Sequence, residues 1–391
     1  MQTVANLLRA GFLASMMVAG GGAPGVAAQG APDERPNWDP VKAAQYLDDR
    51  MDMWFEKATK LRAGDTNTAC VSCHMSVPYM LARPGLRKAM RLSDPTPQET
   101  RLLGELAQRV DAGVRQAPMY ASQTAASRGT EAVLMALILA RADAGTNLDQ
   151  PRELTRQVFR QLWERQQADG AWDWLDFALE PNESGEARYH GATLAAIAAG
   201  TVPGQGGGNE ENSARPLEKL RGYLNGKYAG QNLHHRIWML LASTRLTGLL
   251  TREQRQGLMT EILGRQKDDG GWSLYELGPW KWSKTSAPYA PGGSPDMALL
   301  ARSDGYATGL VAYALRQAGL APNDPHLRKA TDWLAANQRE VRVGPHLWKC
   351  WRSHSLNHDR EHGGEQGEPW KRMLMSDMAT AFAVLALLPS D

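Results

Sequence analysis

The sequence has few cysteines, few phenylalanines and little excess charge. Its 391 residues include three cysteines, which are too few for a disulfide framework. Five phenylalanines accompany thirteen tryptophans, and the tryptophans fall at predicted element ends and in loops, which favours capping or cavity lining over core filling. The formal net charge is +2 with both signs interspersed, so the composition offers no charged surface for nucleic acid.

Long apolar runs are absent after the N terminus, so the mature chain is predicted to have no stable membrane span. Residues 1–28 have the pattern of an export signal. Arg9 precedes an apolar run over residues 10–19, and small residues follow at Val26, Ala27 and Ala28. The apolar run is too short to cross a bilayer, and an uncleaved membrane anchor is the alternative interpretation. The pattern predicts a periplasmic or secreted protein with a cleaved signal peptide.

The most specific motif is C-x-x-C-H, formed by Cys70, Cys73 and His74. In this motif two thiols add to the vinyl groups of haem, and the histidine becomes an axial ligand of the iron. The motif therefore predicts covalently bound haem c, with His74 as the proximal ligand. Three alternatives stay open: a redox disulfide between the two cysteines, a zinc site completed by His74 and a distant residue, and a chance occurrence.

The second axial ligand is harder to assign from the sequence. Met119 is the possible distal ligand, because Met75 and Met80 are too close to His74 along the chain to cross the haem plane easily. A Met or His ligand would favour electron transfer, whereas an open position would permit catalysis or gas binding. Cys350 is left single and is expected to be a buried, inert thiol, with a reactive thiol as the alternative.

From Pro40 onward the chain reads as helices separated by Gly/Pro-rich turns, with little expected sheet. Helices that are apolar nearly all round belong inside a larger assembly. Such segments begin near Thr130, Gly191, Ile237, Tyr306 and Met378. Between them lie the amphipathic segments 152–167, 215–224, 252–266 and 325–338. This alternation predicts an all-α protein with two concentric rings of helices, an α/α toroid.

Three long connections interrupt the helical pattern, over residues 201–215, 280–300 and 341–372. The first is rich in Gly, Asn and Glu and reads as a surface loop. The other two carry tryptophans and histidines and are expected to emerge at one end of the toroid, where its central cavity would open. Long structured loops within a compact domain are often functional.

Two amphipathic segments end in the same phrase, Q-x-x-x-G-x-W. One copy runs from Gln166 to Trp172 and the other from Gln266 to Trp272, while a third, after Gln338, is degenerate, with Gly344 and Trp348 coming late. The phrase resembles the QW repeat of squalene–hopene cyclases and related terpenoid cyclases. The resemblance implies an α/α toroid over residues 121–391. A helical haem-binding segment over residues 29–120 would precede it.

The aspartate-rich D-x-D-D segment with which hopene cyclases protonate their substrate is missing from this sequence. Polar residues at the starts of the buried helices could instead surround a pocket; they are Glu131, His190, His235, Asp304 and Asp377. Asp304 and Asp377 are the tentative catalytic acids, because a buried acid with a raised pKa suits that role. The alternative for both is helix capping.

The later loops contain other candidate residues. Their tryptophans could offer π faces to a hydrophobic or cationic ligand, or pack on the toroid rim; they are Trp280, Trp282, Trp348, Trp351 and Trp370. Their histidines resemble a loose metal cluster whose spacing fits no compact zinc site; they are His346, His354, His358 and His362.

Three functions follow from these patterns. The leading one is an exported haem c protein that moves electrons to or from a periplasmic redox partner or a ligand held by the toroid. The second is a redox-independent cyclase or lyase for a hydrophobic small molecule, with Asp304 or Asp377 as the acid. The third is a non-catalytic module that binds a partner. Whether the chain is an enzyme stays undecided at this level.

Overall fold

The computed structural model describes residues 37–60, 68–112, 117–146, 148–202, 211–281, 297–357, 371 and 373–389. The predicted signal peptide lies outside these residues. Residues 36–391 form one compact unit. The predicted boundary at residue 120 falls inside that unit.

The described part of the chain is mostly helical, as the sequence predicts. Its helices are α1 (Pro40–Lys60), α2 (Ser76–Ala89), α3 (Pro97–Ala112), α4 (Thr124–Ala144), α5 (Glu153–Glu164), α6 (Ala187–Thr201), α7 (Glu211–Lys227), α8 (Leu233–Ser243), α9 (Arg252–Leu263), α10 (Met297–Leu300), α11 (Gly305–Gln317), α12 (Pro325–Ala336) and α13 (Leu374–Leu387). Its strands are β1 (Arg339–Val343) and β2 (His346–Cys350). No helix within these ranges combines the length and the apolar character needed to cross a membrane.

The helices divide into buried and amphipathic ones, and the two kinds alternate along the chain. Helices α4, α6, α8, α11 and α13 bury most of their residues. By contrast, α9 buries only Leu258 and Ile262, and α12 only Leu327, Ala330 and Leu334. Small residues such as alanine let neighbouring buried helices approach closely, whereas the amphipathic helices need one covered face only.

The five buried helices and α2 contact one another in a closed order. Helix α2 contacts α4, α4 contacts α6, α6 contacts α8, α8 contacts α11, α11 contacts α13, and α13 contacts α2 again. The amphipathic helices pack onto this cycle, with α5 on α4, α7 on α6, α9 on α8 and α12 on α11. Helix α1 packs on both α2 and α13. The helix that follows the C-x-x-C-H motif is therefore a member of the cycle.

The Q-x-x-x-G-x-W phrases join successive amphipathic helices. The Gln166 amide donates to the carbonyl of Pro216 in α7 at 2.9 Å, and Gln266 donates to the carbonyl of His326 in α12 at 2.8 Å. The indole of Trp172 donates to the Leu162 carbonyl at 2.8 Å, which fixes the end of its own helix. These bonds satisfy backbone groups that helix ends leave without intrahelical partners.

Steric constraints explain why each phrase contains a glycine. Gly270 has φ +93°, and a Cβ there would come within 2.6 Å of the Lys329 carbonyl oxygen in α12. Gly170 has φ +97° and lies against α7 in the same way. Only glycine permits both this backbone conformation and this close approach.

The third copy of the phrase is completed by Trp351 and not by Trp348. The Trp351 indole donates to the carbonyl of Leu334, four residues before Gln338, as Trp172 does to the residue four before Gln166. The β1–β2 hairpin is inserted between Gln338 and Trp351 and lengthens the phrase. Trp348 lies on the hairpin, where its indole donates to Asp49.

The hairpin itself was predicted as part of a long connection. Its strands pair antiparallel, with Val341 opposite Trp348 and Val343 opposite His346. Gly344 has φ +57° in the turn between them. Two short strands with a two-residue turn carry too few alternating positions for the sequence pattern to distinguish them from a loop.

Candidate functional site

The C-x-x-C-H motif forms the loop that leads into α2. The Ser72 hydroxyl oxygen accepts the backbone N–H groups of His74 at 3.0 Å and of Met75 at 3.2 Å. The Ser72 carbonyl also accepts the N–H of Val77 at 3.1 Å. The first two bonds brace the turn ahead of α2, and the third satisfies the Val77 N–H in the first turn of the helix, which has no intrahelical acceptor. The loop is thus held rigidly at the end of a helix of the buried cycle.

The two cysteines of the motif differ in exposure. Cys70 is half-buried, Cys73 is buried, and neither is joined in a disulfide. Burial raises the pKa of Cys73, and the nearby Glu183 carboxylate and Cys70 raise it further. Cys73 is therefore a neutral thiol at physiological pH. The indole of Trp54 donates to the Cys70 carbonyl at 2.7 Å and anchors the start of the loop.

His74 faces a carboxylate. Its Nδ1 lies 3.7 Å from Glu183 Oε1, and the two side chains are 16% and 22% exposed. A carboxylate beside one ring nitrogen orients a metal-ligating histidine and raises the basicity of the other nitrogen. Glu183 lies in the turn after Leu179, with which it forms an isolated bridge. No motif in the sequence marked Glu183, because it is 109 positions from His74 along the chain.

Three buried histidines from two other helices of the cycle lie nearby. The His190 ring of α6 lies 6.0 Å from the His234 ring and 6.3 Å from the His235 ring of α8, measured between centroids. Burial lowers the pKa of each histidine, and that of His235 falls to about 4. The charges of His235 and His74 lower the pKa of His190 further. All three imidazoles are therefore neutral at physiological pH.

Tyr306, at the start of α11, completes this group. Its hydroxyl is 2.8 Å from His234 Nε2, so the pair shares one hydrogen bond. Burial raises the pKa of Tyr306, and Asp304 and Cys73 add to the rise. The motif is linked to this group through the turn that carries Glu183: His74 faces Glu183, the neighbouring Asn182 carbonyl accepts from Trp174, and the Trp174 ring lies 6.3 Å from that of His190. The ring contacts of His190, His234, His235 and Tyr306 bring together the starts of α6, α8 and α11. We call His190, His234, His235 and Tyr306 the imidazole–phenol cluster.

Aromatic rings surround the imidazole–phenol cluster. Trp238 packs edge-on against His190 with centroids 4.7 Å apart, and Trp280 lies 5.6 Å from His234. Phe382 of α13 contacts Trp238 at 5.4 Å and Tyr306 at 5.5 Å. These rings exclude water from the neutral imidazoles and strengthen every hydrogen bond within the cluster.

Gly191 is required beside the cluster for a steric reason. A Cβ at this position would overlap the ring of Trp174, which packs across the first turn of α6. The Trp174 indole donates to the Asn182 carbonyl at 2.8 Å, and the Asn182 amide reaches the Met378 sulfur of α13 at 3.3 Å. The turn that carries Glu183 is thereby fixed against the cycle.

Glu180 in the same turn is a buried acid that the sequence analysis did not identify. It is 3% exposed, and burial raises its pKa although Ser184 donates to Glu180 Oε2 at 3.0 Å. Its Oε1 has no hydrogen-bond partner among the described residues. The side-chain amide of Asn357 accepts the backbone N–H of Glu180 and donates to the Glu180 carbonyl.

Asp304 and Asp377, the two predicted catalytic acids, each bind groups of the protein itself. Asp304 caps α11, where its Oδ1 accepts the backbone N–H groups of Tyr306 and Ala307, each at 3.0 Å, and its Oδ2 accepts that of Leu274 at 2.6 Å. Burial raises the pKa of Asp304, and these hydrogen bonds oppose the rise. The contacts agree with the capping interpretation. The catalytic role stays a prediction.

Asp377 lies inside the first turn of α13 rather than ahead of the helix. Its Oδ1 accepts from the Tyr46 hydroxyl at 2.6 Å and from Arg50 Nε at 2.7 Å, and its Oδ2 accepts from Arg50 Nη2 at 2.7 Å. All three side chains are buried, so the bidentate ion pair ties α1 to α13. The catalytic role of Asp377 stays a prediction.

The remaining predicted residues are dispersed. Met119 is buried ahead of α4, and its role as distal ligand stays a prediction. Cys350 is buried, and burial raises its pKa to about 12, as expected for an inert thiol. Glu131 pairs with Arg109 of α3. Trp282, Trp370, His358 and His362 lie outside the described residues.

The structure also bears on the proposed metal arrangements. His346 stacks on Trp348 at 4.7 Å in β2. Within the described ranges, no three His, Cys, Asp or Glu side chains come together as they would around a metal ion. The side chains of Cys70, Cys73 and His74 do not form such a group in this part of the chain. No protein-family model matches the chain, and no curated protein matches it significantly.

Proposed function

We propose that this chain is an exported haem c protein whose helices form an α/α toroid of the terpenoid-cyclase kind. Cys70 and Cys73 would carry the haem, and His74 would be its proximal ligand. The protein would exchange electrons with a periplasmic partner or with a ligand held by the toroid. The observation that carries the proposal is the position of the motif, which forms the turn ahead of α2 and is linked to the imidazole–phenol cluster through the turn that carries Glu183 and through Trp174.

The residues at the motif fit covalent haem. Free thiols at Cys70 and Cys73 would be the form that adds to the haem vinyl groups, and both residues lie in the loop ahead of α2. His74 is partly accessible and has the Glu183 carboxylate beside its Nδ1, which leaves Nε2 as the nitrogen for a metal. When bound, haem would supply reversible one-electron chemistry at its iron.

The chain's own residues would perform three tasks. Ser72 and Trp54 hold the backbone of the loop, so that both cysteines keep their places. Glu183 orients His74. The hydrogen bond between Tyr306 and His234 holds one proton inside the buried imidazole–phenol cluster.

Two features support the toroid. The buried helices contact one another in a closed order, with amphipathic helices packed on them. Two copies of the Gln–Trp phrase link α5 to α7 and α9 to α12, and the third copy returns from the end of α12 to the segment before α1. The phrase supports the fold only, because its glutamine and tryptophan bind backbone groups.

A visible spectrum tests the haem proposal. The full chain is exported alongside a cytochrome c maturation system, and its oxidised and reduced spectra are recorded before a denaturing gel is stained for haem. We expect sharp reduced α and β bands and a haem-stained band at the size of the chain. Carbon monoxide binding then reports whether the sixth position is open.

Two matched variants make this test specific. Cys73→Ser should abolish or weaken the stain, whereas Cys350→Ala, which removes another buried thiol, should leave it unchanged. A colourless, stain-negative wild-type protein that is folded by circular dichroism would contradict the proposal. It would direct attention to a Cys70–Cys73 disulfide.

A further inference from the structure

The β1–β2 hairpin has an open edge along β1. Among the described residues, β2 is the only strand that pairs with β1, and α1 packs on β2. The three charged residues of β1 are exposed and its two valines are half-buried; in order they are Arg339, Glu340, Val341, Arg342 and Val343. An exposed edge strand offers unpaired backbone N–H and C=O groups, so it can pair with a strand from another molecule.

The turn of the hairpin decides which backbone groups lie at this edge. Val343 and His346 face each other across the two-residue turn, so they form the hydrogen-bonded pair that closes a hairpin of this kind. Hydrogen-bonded and non-hydrogen-bonded pairs alternate along an antiparallel ladder. Glu340 and Arg342 therefore form non-hydrogen-bonded pairs with β2, and their own N–H and C=O groups point toward the open edge.

The charges of β1 are arranged to match a second copy of the same strand. When two copies pair antiparallel about Val341, Glu340 of each copy lies opposite Arg342 of the other. Opposite charges at directly opposite positions stabilise a strand pair, whereas like charges destabilise it. Both side chains are exposed, and neither forms an ion pair within the described ranges.

Backbone and side chains select the same register. With Val341 on the two-fold axis, the outward groups of Glu340 and Arg342 in one copy meet those of Arg342 and Glu340 in the other, which permits four hydrogen bonds. A shift by one residue would pair groups that face β2. A shift by two would place Glu340 opposite Glu340, or Arg342 opposite Arg342, and like charges would then repel each other.

We propose that this chain forms a two-fold symmetric dimer in which the open edges of β1 from two copies pair antiparallel about Val341. The two hairpins would form one four-stranded sheet in the order β2–β1–β1–β2. Because each copy uses the same edge, association stops at two copies. The strands are short, so the dimer is reversible and its population rises with protein concentration. The proposal does not rest on the haem, because no residue of the motif lies in the hairpin.

Sedimentation equilibrium of the full chain tests the dimer. The weight-average mass is measured over a hundredfold range of protein concentration, and we expect it to rise from that of one chain toward that of two. Glu340→Arg and Arg342→Glu each place like charges opposite each other in the proposed register. Each variant should raise the dissociation constant about tenfold or more.

A mixture of the two variants tests the register itself. Glu340→Arg makes the edge wholly positive and Arg342→Glu makes it wholly negative at these two positions. The equimolar mixture should therefore form a heterodimer at concentrations where each variant alone is monomeric. Mixing cannot repair a misfolded hairpin, so recovery of the dimer separates a charge effect from a loss of structure. Glu218→Arg reverses the charge of an exposed glutamate in α7 and should leave the dissociation constant unchanged.

Three results would overturn the proposal. The first is a wild-type chain that stays monomeric at every concentration. The second is a dimer that both charge-reversal variants retain with unchanged affinity, since another surface would then be the interface. The third is a mixture of folded variants that stays monomeric. The haem stain and the measured mass are independent readouts, so a stain-negative chain that still dimerises would reject the haem proposal alone.

Discussion

Gln338 and Asp39, 299 positions apart, hold each other by two hydrogen bonds. The Asp39 N–H donates to Gln338 Oε1 at 2.7 Å, and Gln338 Nε2 donates to the Asp39 carbonyl at 3.0 Å. Gln166 and Gln266 make the equivalent bonds to helices that follow them in the chain. Gln338 instead reaches back to the start of α1, so this pair joins the last amphipathic helix to the first.

Removal of this link should destabilise the whole protein. We expect Gln338→Ala to lower the free energy of unfolding by about 1–3 kcal/mol, because it leaves the backbone groups of Asp39 without their partners. Urea unfolding followed by circular dichroism measures the change. Gln256→Ala, at an exposed position of α9, should change it by less than about 0.5 kcal/mol. Equal effects of the two variants would reject the role of Gln338.

Gly191 should tolerate no side chain. We expect Gly191→Ala to destabilise the protein by about 1–3 kcal/mol, because the new Cβ overlaps the ring of Trp174. Tryptophan fluorescence should shift as Trp174 moves. Gly257→Ala is the control, since nothing lies within 4 Å of a Cβ there and α9 should become slightly more stable. If Gly191→Ala left the free energy of unfolding unchanged, the steric role of Gly191 would be contradicted.

Glu183→Gln should raise the midpoint potential of the haem, if the haem proposal holds. The carboxylate beside His74 Nδ1 makes the imidazole a stronger donor, which favours ferric iron, and the amide removes that effect. A redox titration followed in the visible spectrum measures the potential. Glu186→Gln removes an equal charge from a residue paired with exposed Lys281 and should leave the potential nearly unchanged. An unshifted Glu183→Gln potential would contradict the orienting role.

Stability should fall as the pH drops below neutrality. Burial lowers the pKa of His190, His234 and His235 in the folded chain, and that of His235 falls from 6.5 to about 4. The unfolded chain therefore binds more protons than the folded chain between pH 6.5 and 4. The free energy of unfolding therefore rises with pH in this window, by up to about 1.4 kcal/mol per pH unit for each histidine.

Urea unfolding at pH 7.5, 6.5 and 5.5 measures this slope. His234→Gln removes one of the titrating groups and keeps a side chain that can bond to Tyr306, so the slope should become shallower. His326→Gln changes an exposed histidine of α12 and should leave the slope intact. A stability that stays flat over this range would contradict the neutral state of the buried histidines.

Helical periodicity predicted most of the fold because it depends on neighbours three or four residues apart. The Ala-rich segments around Gly191 and Met378 are apolar on every side, and both form buried helices. The same reasoning failed at the β1–β2 hairpin, where two short strands carry too little pattern. It also assigned Trp348 to the third phrase, because the inserted hairpin lengthens the spacing between Gln338 and Trp351.

The amino-acid sequence alone determined the C-x-x-C-H motif, two copies of the Gln–Trp phrase and the all-helical character, because each depends on residues close together in the chain. The pairing of His74 with Glu183, the meeting of His190, His234 and Tyr306, and the buried ion pair of Arg50 with Asp377 were decided only by the tertiary structure. These partners lie up to 327 positions apart. The sequence therefore does not show which of its many carboxylates pairs with His74 or with Arg50. Helix packing selects among them, because it fixes which helix starts meet and which charged side chains lose water together.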